Sequence, residues 1–237
     1  MGVIERMDHH DLARLLATAS SELHRSPQEE PTLEAVVAGA VELVREAVWA
    51  SITVRAPRRR GYATLAATSE LAREADQLQY ELAEGPCVDA APGSAWLRSG
   101  EVPTDARWPV WGARAGRLGV GSLLSLGLTS RGERIGALNM YAPTAGCFSD
   151  PDEVEVAVLY TVHAAQAMAS SQLVSGLEVA LSSRHLIGVA QGILMERFGL
   201  TQDRSFVLLR RISSQTNVKV TEVARRIVET NEVPTAR

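Results

Sequence analysis

The sequence predicts an α+β protein: an antiparallel sheet flanked by helices, then a long connector helix, then an all-helical bundle of three. Three observations predict it. Strand-like and helix-like stretches do not alternate in the strand–helix–strand series of a parallel sheet. Two apolar runs, 120–128 and 134–141, flank Ser130-Arg131-Gly132-Glu133, the pattern of an antiparallel hairpin. From Ser149-Asp150-Pro151 onward the pattern is helical, broken only near Gly199 and Asn217.

The elements follow in order. Residues 8–25 place Leu12, Leu15, Leu16 and Leu23 on one side of a short helix, which Ser26-Pro27-Gln28-Glu29-Glu30-Pro31 breaks. Thr32 is expected to cap a second helix. There Leu33, Val36, Val37, Ala40, Val41, Val44 and Val48 recur at threes and fours as a buried stripe. Strands are expected at Ala50–Arg55 and Tyr62–Thr68 around an Arg58-Arg59-Arg60-Gly61 turn, then a helix over 70–80 behind Ser69. Gly85-Pro86-Cys87 and Pro92-Gly93 mark turns, and Asp105 is expected to cap a short helix carrying Trp108 and Trp111.

Pro151 suits the first turn of the long helix, and Asp150, Asp152, Glu153 and Glu155 suit its positive end. That helix is expected over 151–198, weakest at Gly176 and Ser182-Ser183. Val162, Ala169, Leu173, Leu177 and Leu181 form an imperfect coiled-coil seam, either between two parallel copies or against the N-terminal domain. Gly199 ends this helix. Thr201 is expected to cap a helix over 202–215, and Thr221 one over 222–230, with Asn217 in the turn between.

Composition narrows the class. The chain has 237 residues, 46% hydrophobic and 22% charged, as expected of an ordered globular protein. No apolar run approaches the ~18 residues of a membrane helix. The start, MGVIERMDHHDLARLL, lacks the apolar core of an export signal, and Cys87 and Cys147 have no redox, zinc or disulfide spacing. A reduced, cytoplasmic protein without a membrane partner is expected. No Gly-rich phosphate loop follows a strand, so no nucleotide or metal motif names a cofactor. No Ser–His–Asp or His–Glu metal constellation emerges, so the protein is not expected to be an enzyme. No acidic triad of a phosphorylated receiver is apparent.

The formal net charge of −4 hides two parts of opposite sign. Residues 1–175 carry net −7 and residues 176–237 net +3, with +5 over 184–226. Of 24 basic residues, 23 are Arg and only Lys219 is Lys, a bias that fits GC-rich codon usage. In the basic part, Ile187, Ala190, Leu194 and Phe198 share one helical stripe, assigned to the core. Arg184, Gly188, Gln191 and Met195 share another, with Gly192 beside it. Two glycines inside a helix cost about 1 kcal/mol each relative to alanine, so another helix or a nucleic acid is expected to approach this stripe closely. Phe198 and Phe206, the module's two aromatics, fall at expected core positions, which argues against base stacking on them. Arg184, Arg197, Arg204, Arg210, Arg211 and Lys219 are candidates for phosphate contacts or guanidinium stacking.

Leu181-Ser182-Ser183-Arg184 … Ile187 … Ala190-Gln191-Gly192-Ile193-Leu194-Met195 … Phe206 … Leu209-Arg210 … Ser213 … Asn217-Val218-Lys219 … Val223-Ala224 resembles an ANTAR domain. This is the RNA-binding output module of bacterial antitermination regulators. Two positions depart from the family pattern: Gln191 replaces its usual Lys and Ser205 its usual Ala. The resemblance implies binding to tandem stem-loops in nascent transcripts, which keeps a terminator hairpin from forming. The RNA-contact residues it suggests are Arg184, Gln191, Gly192, Met195, Arg204, Arg210, Ser213, Asn217 and Lys219.

The element order, with Gly85-Pro86-Cys87-Val88-Asp89, Asp105-Ala106-Arg107-Trp108-Pro109, Ser122-Leu123-Leu124-Ser125 and Ile135-Gly136-Ala137-Leu138-Asn139, resembles a GAF domain. Together the two parts resemble the GAF- and ANTAR-containing antitermination regulators of high-GC bacteria, the actinobacterial type. The resemblance implies a small-molecule effector between sheet and helices, with Cys87, Trp108 and Trp111 as candidate ligand-binding residues. Cyclic nucleotides are not favoured, because Asn139-Met140 stands where their signature has Asn-Lys; haem is not favoured either, because His163 and His185 sit on helical stretches. The ligand stays unassigned.

The organisation expected is an N-terminal helix and linker over 1–30, a GAF-like sensor over 31–172, a connector over 151–182 and an ANTAR RNA-binding domain over 180–237, working as a homodimer. Two other functions stay open: a DNA-binding regulator using the three-helix bundle, and a protein-interaction adaptor.

Overall fold

The computed structural model describes residues 9–23, 25–56, 61–89 and 96–232. They divide into two compact units, Met1–Gln172 and Leu173–Arg237. No described helix is long and apolar enough to cross a membrane. The triple-arginine turn and Pro92-Gly93 lie outside the described residues, as do the side chains of Leu12, Leu15 and Leu16.

The first unit is a five-stranded antiparallel sheet with helices on both faces. In chain order it runs α1 (His9–Leu23), α2 (Glu29–Leu43), β1 (Trp49–Ala56), β2 (Gly61–Ala67), α3 (Glu70–Leu82), the one-turn α4 (Pro86–Asp89), β3 (Trp96–Ser99), a 3-10 turn (Val102–Thr104), α5 (Pro109–Leu118), β4 (Ser122–Ser130), β5 (Glu133–Ala142) and the first part of α6 (Pro151–Phe198). The strand order is β2-β1-β5-β4-β3. Arg131 and Gly132 both have positive φ, as a tight two-residue β4–β5 hairpin requires.

Strand alternation sorts the two faces. Ile52, Leu124, Leu126, Leu138 and Met140 pack against Val36, Val37 and Ala40 of α2 and Ala157, Tyr160 and Ala164 of α6. Leu123 and Tyr141 face the other way, toward Ala72 and Ala75 of α3, Trp111 and Ala115 of α5, and Trp108. Tyr160 crosses to α2, where its hydroxyl donates to the Val36 carbonyl at 2.9 Å. A Cβ on Gly39 would collide with that hydroxyl, so the close approach of α2 and α6 needs glycine there.

Several caps differ from expectation. α2 starts at Glu29, because proline is tolerated in a first helical turn and Pro31 does not break it. Thr32 is therefore buried inside the helix, donating to the Gln28 carbonyl at 2.7 Å, rather than capping it. The helix ends at Leu43, which leaves Val48 off the buried stripe and exposed. α5 starts at Pro109, and Asp105 does not cap it. Glu84 does, accepting from Val110 N at 2.9 Å and Trp111 N at 2.7 Å. Asp105 instead pairs with Arg107 at 2.6 Å, which pulls its carboxyl down to about 2. Ser69 caps α3 as expected, accepting from Ala72 N at 3.2 Å.

The second unit completes α6 and adds α7 (Gln202–Thr216) and α8 (Val220–Thr230). Gly176 and Ser182-Ser183 do not interrupt α6. Ala190 and Leu194 of α6, Leu209 and Ile212 of α7, and Val223, Ala224 and Ile227 of α8 close a small core. Thr201 caps α7 by accepting from Arg204 N. α8 begins one position before Thr221, with Lys219 at its N-cap and no side-chain cap.

Gly39→Ala is expected to cost about 1–3 kcal/mol by forcing Tyr160 from its place. Pairing it with Tyr160→Phe, which removes the colliding oxygen, is expected to recover part of that loss in urea denaturation.

Candidate functional site

α3 is the amphipathic helix that makes the first unit unusual. Its sheet-facing stripe is Ala72, Ala75, Asp76 and Gln79, all buried. The Asp76 carboxyl is wholly buried. Tyr141 donates to its Oδ1 at 2.5 Å and Asn139 Nδ2 at 3.2 Å, while Thr64 and Thr53 hydroxyls donate to its Oδ2 at 2.8 and 3.3 Å. Burial raises this carboxyl above its ordinary value, and the hydrogen bonds, Tyr141's foremost, oppose that only in part.

The network continues outward. Tyr80 shares its hydroxyl with Thr53 and Thr64 at 2.8 Å each and stacks on Tyr62. Gln79 donates to the Tyr141 hydroxyl and accepts from Cys87 N at 2.9 Å. Gly85 precedes with φ +128°, a conformation open to glycine, and a Cβ there would strike Gln79. This turn puts the Cys87 thiol 3.1 Å from Asn139 Oδ1. Burial first, and the Asp76 neighbour second, push that thiol up to about 12, so it is neutral and a weak donor.

A cleft of about 220 Å³ opens beside this network, lined by Thr53, Arg55, Tyr62, Cys87 and residues 134–137. Of the three candidate ligand residues, Cys87 is on its wall. Trp108 and Trp111 are not. They pack edge to face with each other in the core, their indole N–H groups donating to Asp89 Oδ2 at 2.6 Å and the Ala75 carbonyl at 3.0 Å. Both are large, buried and fully hydrogen-bonded, as core tryptophans are. Arg55, Tyr62 and Arg134 are cleft residues that sequence reasoning missed; their only signal was strand alternation, which puts Thr53 and Arg55 on one face.

In the second unit, Arg184, Arg204, Arg210, Arg211 and Lys219 are exposed, and none makes an ion pair among the described residues. Arg210 and Arg211 flank a shallow depression with Val207. Arg197 is engaged: it donates to the Asn231 carbonyl at 2.6 Å and lies over Phe198. Ser213 donates to the Val218 carbonyl at 2.6 Å, and Asn217 is the left-handed C-cap of α7. Both shape the α7–α8 turn. Met195 is exposed, and a Cβ on Gly188 or Gly192 would meet no atom within 4 Å, so packing within the chain requires neither glycine.

The two phenylalanines are not core residues. Phe198 is 50% exposed and Phe206 39%. The buried stripe of α7 is Ser205, Leu209 and Ile212, which leaves Phe206 one step round the helix, and Phe198 is the last residue of α6, where the chain turns away at Gly199. Gln191 also differs from expectation. Its amide donates to the Gln202 carbonyl at 3.0 Å and the Ser205 hydroxyl at 3.3 Å, while Ser205 donates to the same carbonyl at 2.7 Å. The two departures from the ANTAR pattern are thus hydrogen-bonded to each other.

Comparison with known proteins agrees with this division. A GAF domain family model matches residues 27–169 and an ANTAR domain model residues 175–228. Among solved structures, the GAF domain of a phosphoenolpyruvate-protein phosphotransferase from Coxiella burnetii is similar at TM-score 0.56 and 16% identity, covering 72% of this chain and 99% of that one. The phytochrome photosensory core module of Stigmatella aurantiaca is similar at 0.59 and 11%, covering 90% and 46%. Free methionine-R-sulfoxide reductase from Neisseria meningitidis is similar at 0.52 and 13%, covering 72% and 96%. At such identities the likeness is one of fold. No curated protein matches the sequence.

Two outcomes are expected. As pH rises past 3.8, the unfolded chain loses a proton that folded Asp76 retains, so this group makes folding less favourable up to its raised folded value. Asp76→Asn stays neutral and is expected to gain urea stability over the parent progressively from about pH 4 upward. Asp76→Leu, which strips Tyr141 and Asn139 of their acceptor, is expected to lose about 3 kcal/mol near pH 4, a loss that shrinks as pH rises because the leucine does not titrate. In the second unit, Gln191→Ala and Ser205→Ala are expected to be non-additive by about 1 kcal/mol in a double-mutant cycle read by thermal melting.

Proposed function

Since the chain belongs to the GAF domain family and carries an ANTAR domain, both regulatory, we propose that it is an RNA-binding transcription antitermination regulator. The first unit senses a signal, and the second binds tandem stem-loops in nascent mRNA so that the terminator does not form. The observation that carries this reading is the second unit's division of residues. It buries its own apolar core and leaves five basic side chains, Arg184, Arg204, Arg210, Arg211 and Lys219, outside and without acidic partners among the described residues. A protein with that surface attracts phosphate backbone.

Phosphate contacts position RNA without reading it, and sequence is read on unpaired loop bases. Phe198 and Phe206 offer half-exposed aromatic faces, and base stacking on such faces contributes about 1–3 kcal/mol per base. Arg184, Gly192, Met195, Arg204, Arg210 and Lys219 are retained as contact candidates. Gln191, Ser213 and Asn217 act by shaping the helix junctions, given their internal bonds and cap geometry.

The protein acts as a cytoplasmic homodimer in this reading. Val162, Leu173, Leu177 and Leu181 are exposed on α6, as a seam awaiting a second copy requires. Two bundles joined in a dimer meet two loops, and the second contact gains from the high local concentration set by the first. A small molecule in the first unit shifts the balance by changing how the α6 helices pair.

Filter binding at several salt concentrations tests the reading. Tandem stem-loop RNA is expected to bind more tightly than scrambled RNA of equal length, and equal binding of the two sinks it. Arg210→Glu with Lys219→Glu is expected to flatten the salt dependence by about 0.7–0.9 in log–log slope per lost contact. Phe206→Ala is expected to weaken stem-loop binding about tenfold while leaving that slope unchanged. A footprint on duplex DNA without RNA binding would replace the proposal with a DNA-binding one.

A further inference from the structure

We propose that the cleft between β1, β2, α4 and the start of β5 binds a small organic anion, held at its charged end by Arg55 and Arg134 and at its inner end by the Thr53–Cys87 wall. The inference rests on reading the first unit as a sensor and names the chemical class that it senses.

Charge comes first. Arg55 and Arg134 both line the cleft and both are exposed. Neither makes an ion pair among the described residues, and no Asp or Glu is among the lining residues. Two guanidinium groups at one rim repel each other, and a shared anion relieves that repulsion. Arg134 is already oriented, since its Nε donates to the Gly136 carbonyl at 3.2 Å. That bond leaves its two terminal nitrogens for a carboxylate or phosphate, the planar fork such groups match.

The wall behind the rim fits the same ligand. Thr53 and Cys87 are buried, and their hydroxyl and thiol are already bonded to Asp76 and Asn139, so they give the wall a fixed contact surface and the arginines at the rim supply the free donors. Asp76 lies directly behind Thr53, and its burial favours the protonated form. Ala137 and Gly136 add a smooth, side-chain-poor floor.

Size limits the ligand. The cleft holds about 220 Å³. That is smaller than the ~300–1,000 Å³ of usual ligand pockets. A di- or tricarboxylate, or a three-carbon phosphate ester, has this size.

Calorimetry and thermal melting of the full chain test the proposal. The probes are citrate, succinate, glycerol 3-phosphate and inorganic phosphate, with succinamide as the neutral control. At least one organic anion is expected to bind at millimolar concentration or better, raise the melting temperature and weaken with added salt. The identity of that anion distinguishes a carboxylate site from a phosphate site. Arg55→Gln with Arg134→Gln is expected to weaken binding at least about tenfold. Arg114→Gln, the same charge change on α5, is expected to leave it unchanged. Equal binding of succinamide, unchanged affinity in the double variant, or no binding by any organic anion overturns the proposal. These measurements contain no RNA, so their failure leaves the RNA-binding reading standing, and loss of that reading leaves an anion site standing.

Discussion

The first unit depends on one fully buried carboxyl group. Asp76 is held by donors from three neighbouring strands: Thr53 from β1, Thr64 from β2, and Asn139 and Tyr141 from β5. A buried network of this kind stabilises only when every member is satisfied. It therefore selects strand register. Thr53 pairs with Thr64, and Ser51 with Asn139, and those pairings put the donors side by side under α3. A slip of one residue would turn each of them to the opposite, apolar face. The same register carries Arg55 and the start of β5 to the cleft.

The two faces of the sheet accordingly do different work. The face against α2 and α6 is almost wholly apolar, and its close helix packing rests on small residues such as Gly39, Ala157 and Ala164. It gives stability without chemical selectivity. The face against α3, α4 and α5 combines two core tryptophans at one end with the polar network and cleft at the other. A sensor needs both a rigid support and a surface able to distinguish ligands, and polar groups fixed by a second layer of hydrogen bonds hold their geometry better than mobile ones.

The long periodic elements were legible in the sequence. The β4–β5 hairpin, α3 behind Ser69 and α6 from Pro151 follow from turn chemistry, capping and spacing that act within a few residues. What was not legible acts at a distance. Glu84 caps α5 from 26 residues away, so Asp105, the nearer acid, was the natural local choice. β3 is a four-residue edge strand, too short to show alternation. Asp76 reads in sequence as an ordinary acid on an amphipathic helix; the available signal was that it shares a stripe with Ala72, Ala75 and Gln79. Helical spacing puts Phe198 on the core stripe with Ile187, Ala190 and Leu194, and Phe206 reads as core too, yet the end of α6 at Gly199 and the neighbouring stripe of α7 leave both exposed. Cys87, behind its Gly-Pro turn, lines the cleft, whereas Trp108 and Trp111, candidates for the same pocket by resemblance, fill the core beside it.

The charge of the second unit sets the terms for any RNA contact. A net +5 over 184–226 is modest, and each exposed arginine is screened within about 8 Å at physiological salt. Such a surface attracts many RNAs and discriminates among few. Gln191 lowers the charge further where the ANTAR pattern has Lys, and its amide is bonded across to the start of α7 rather than outward. In the proposed function, selectivity must therefore come from groups that meet bases, and from the spacing between two bundles. On that proposal the half-exposed phenylalanines would supply the first. The exposed leucines of α6 would supply the second, because a seam that fixed two copies in register would also fix the distance between their basic faces. A weakly charged module gains selectivity from that arrangement that added arginines would not give, since extra charge strengthens binding to every RNA alike.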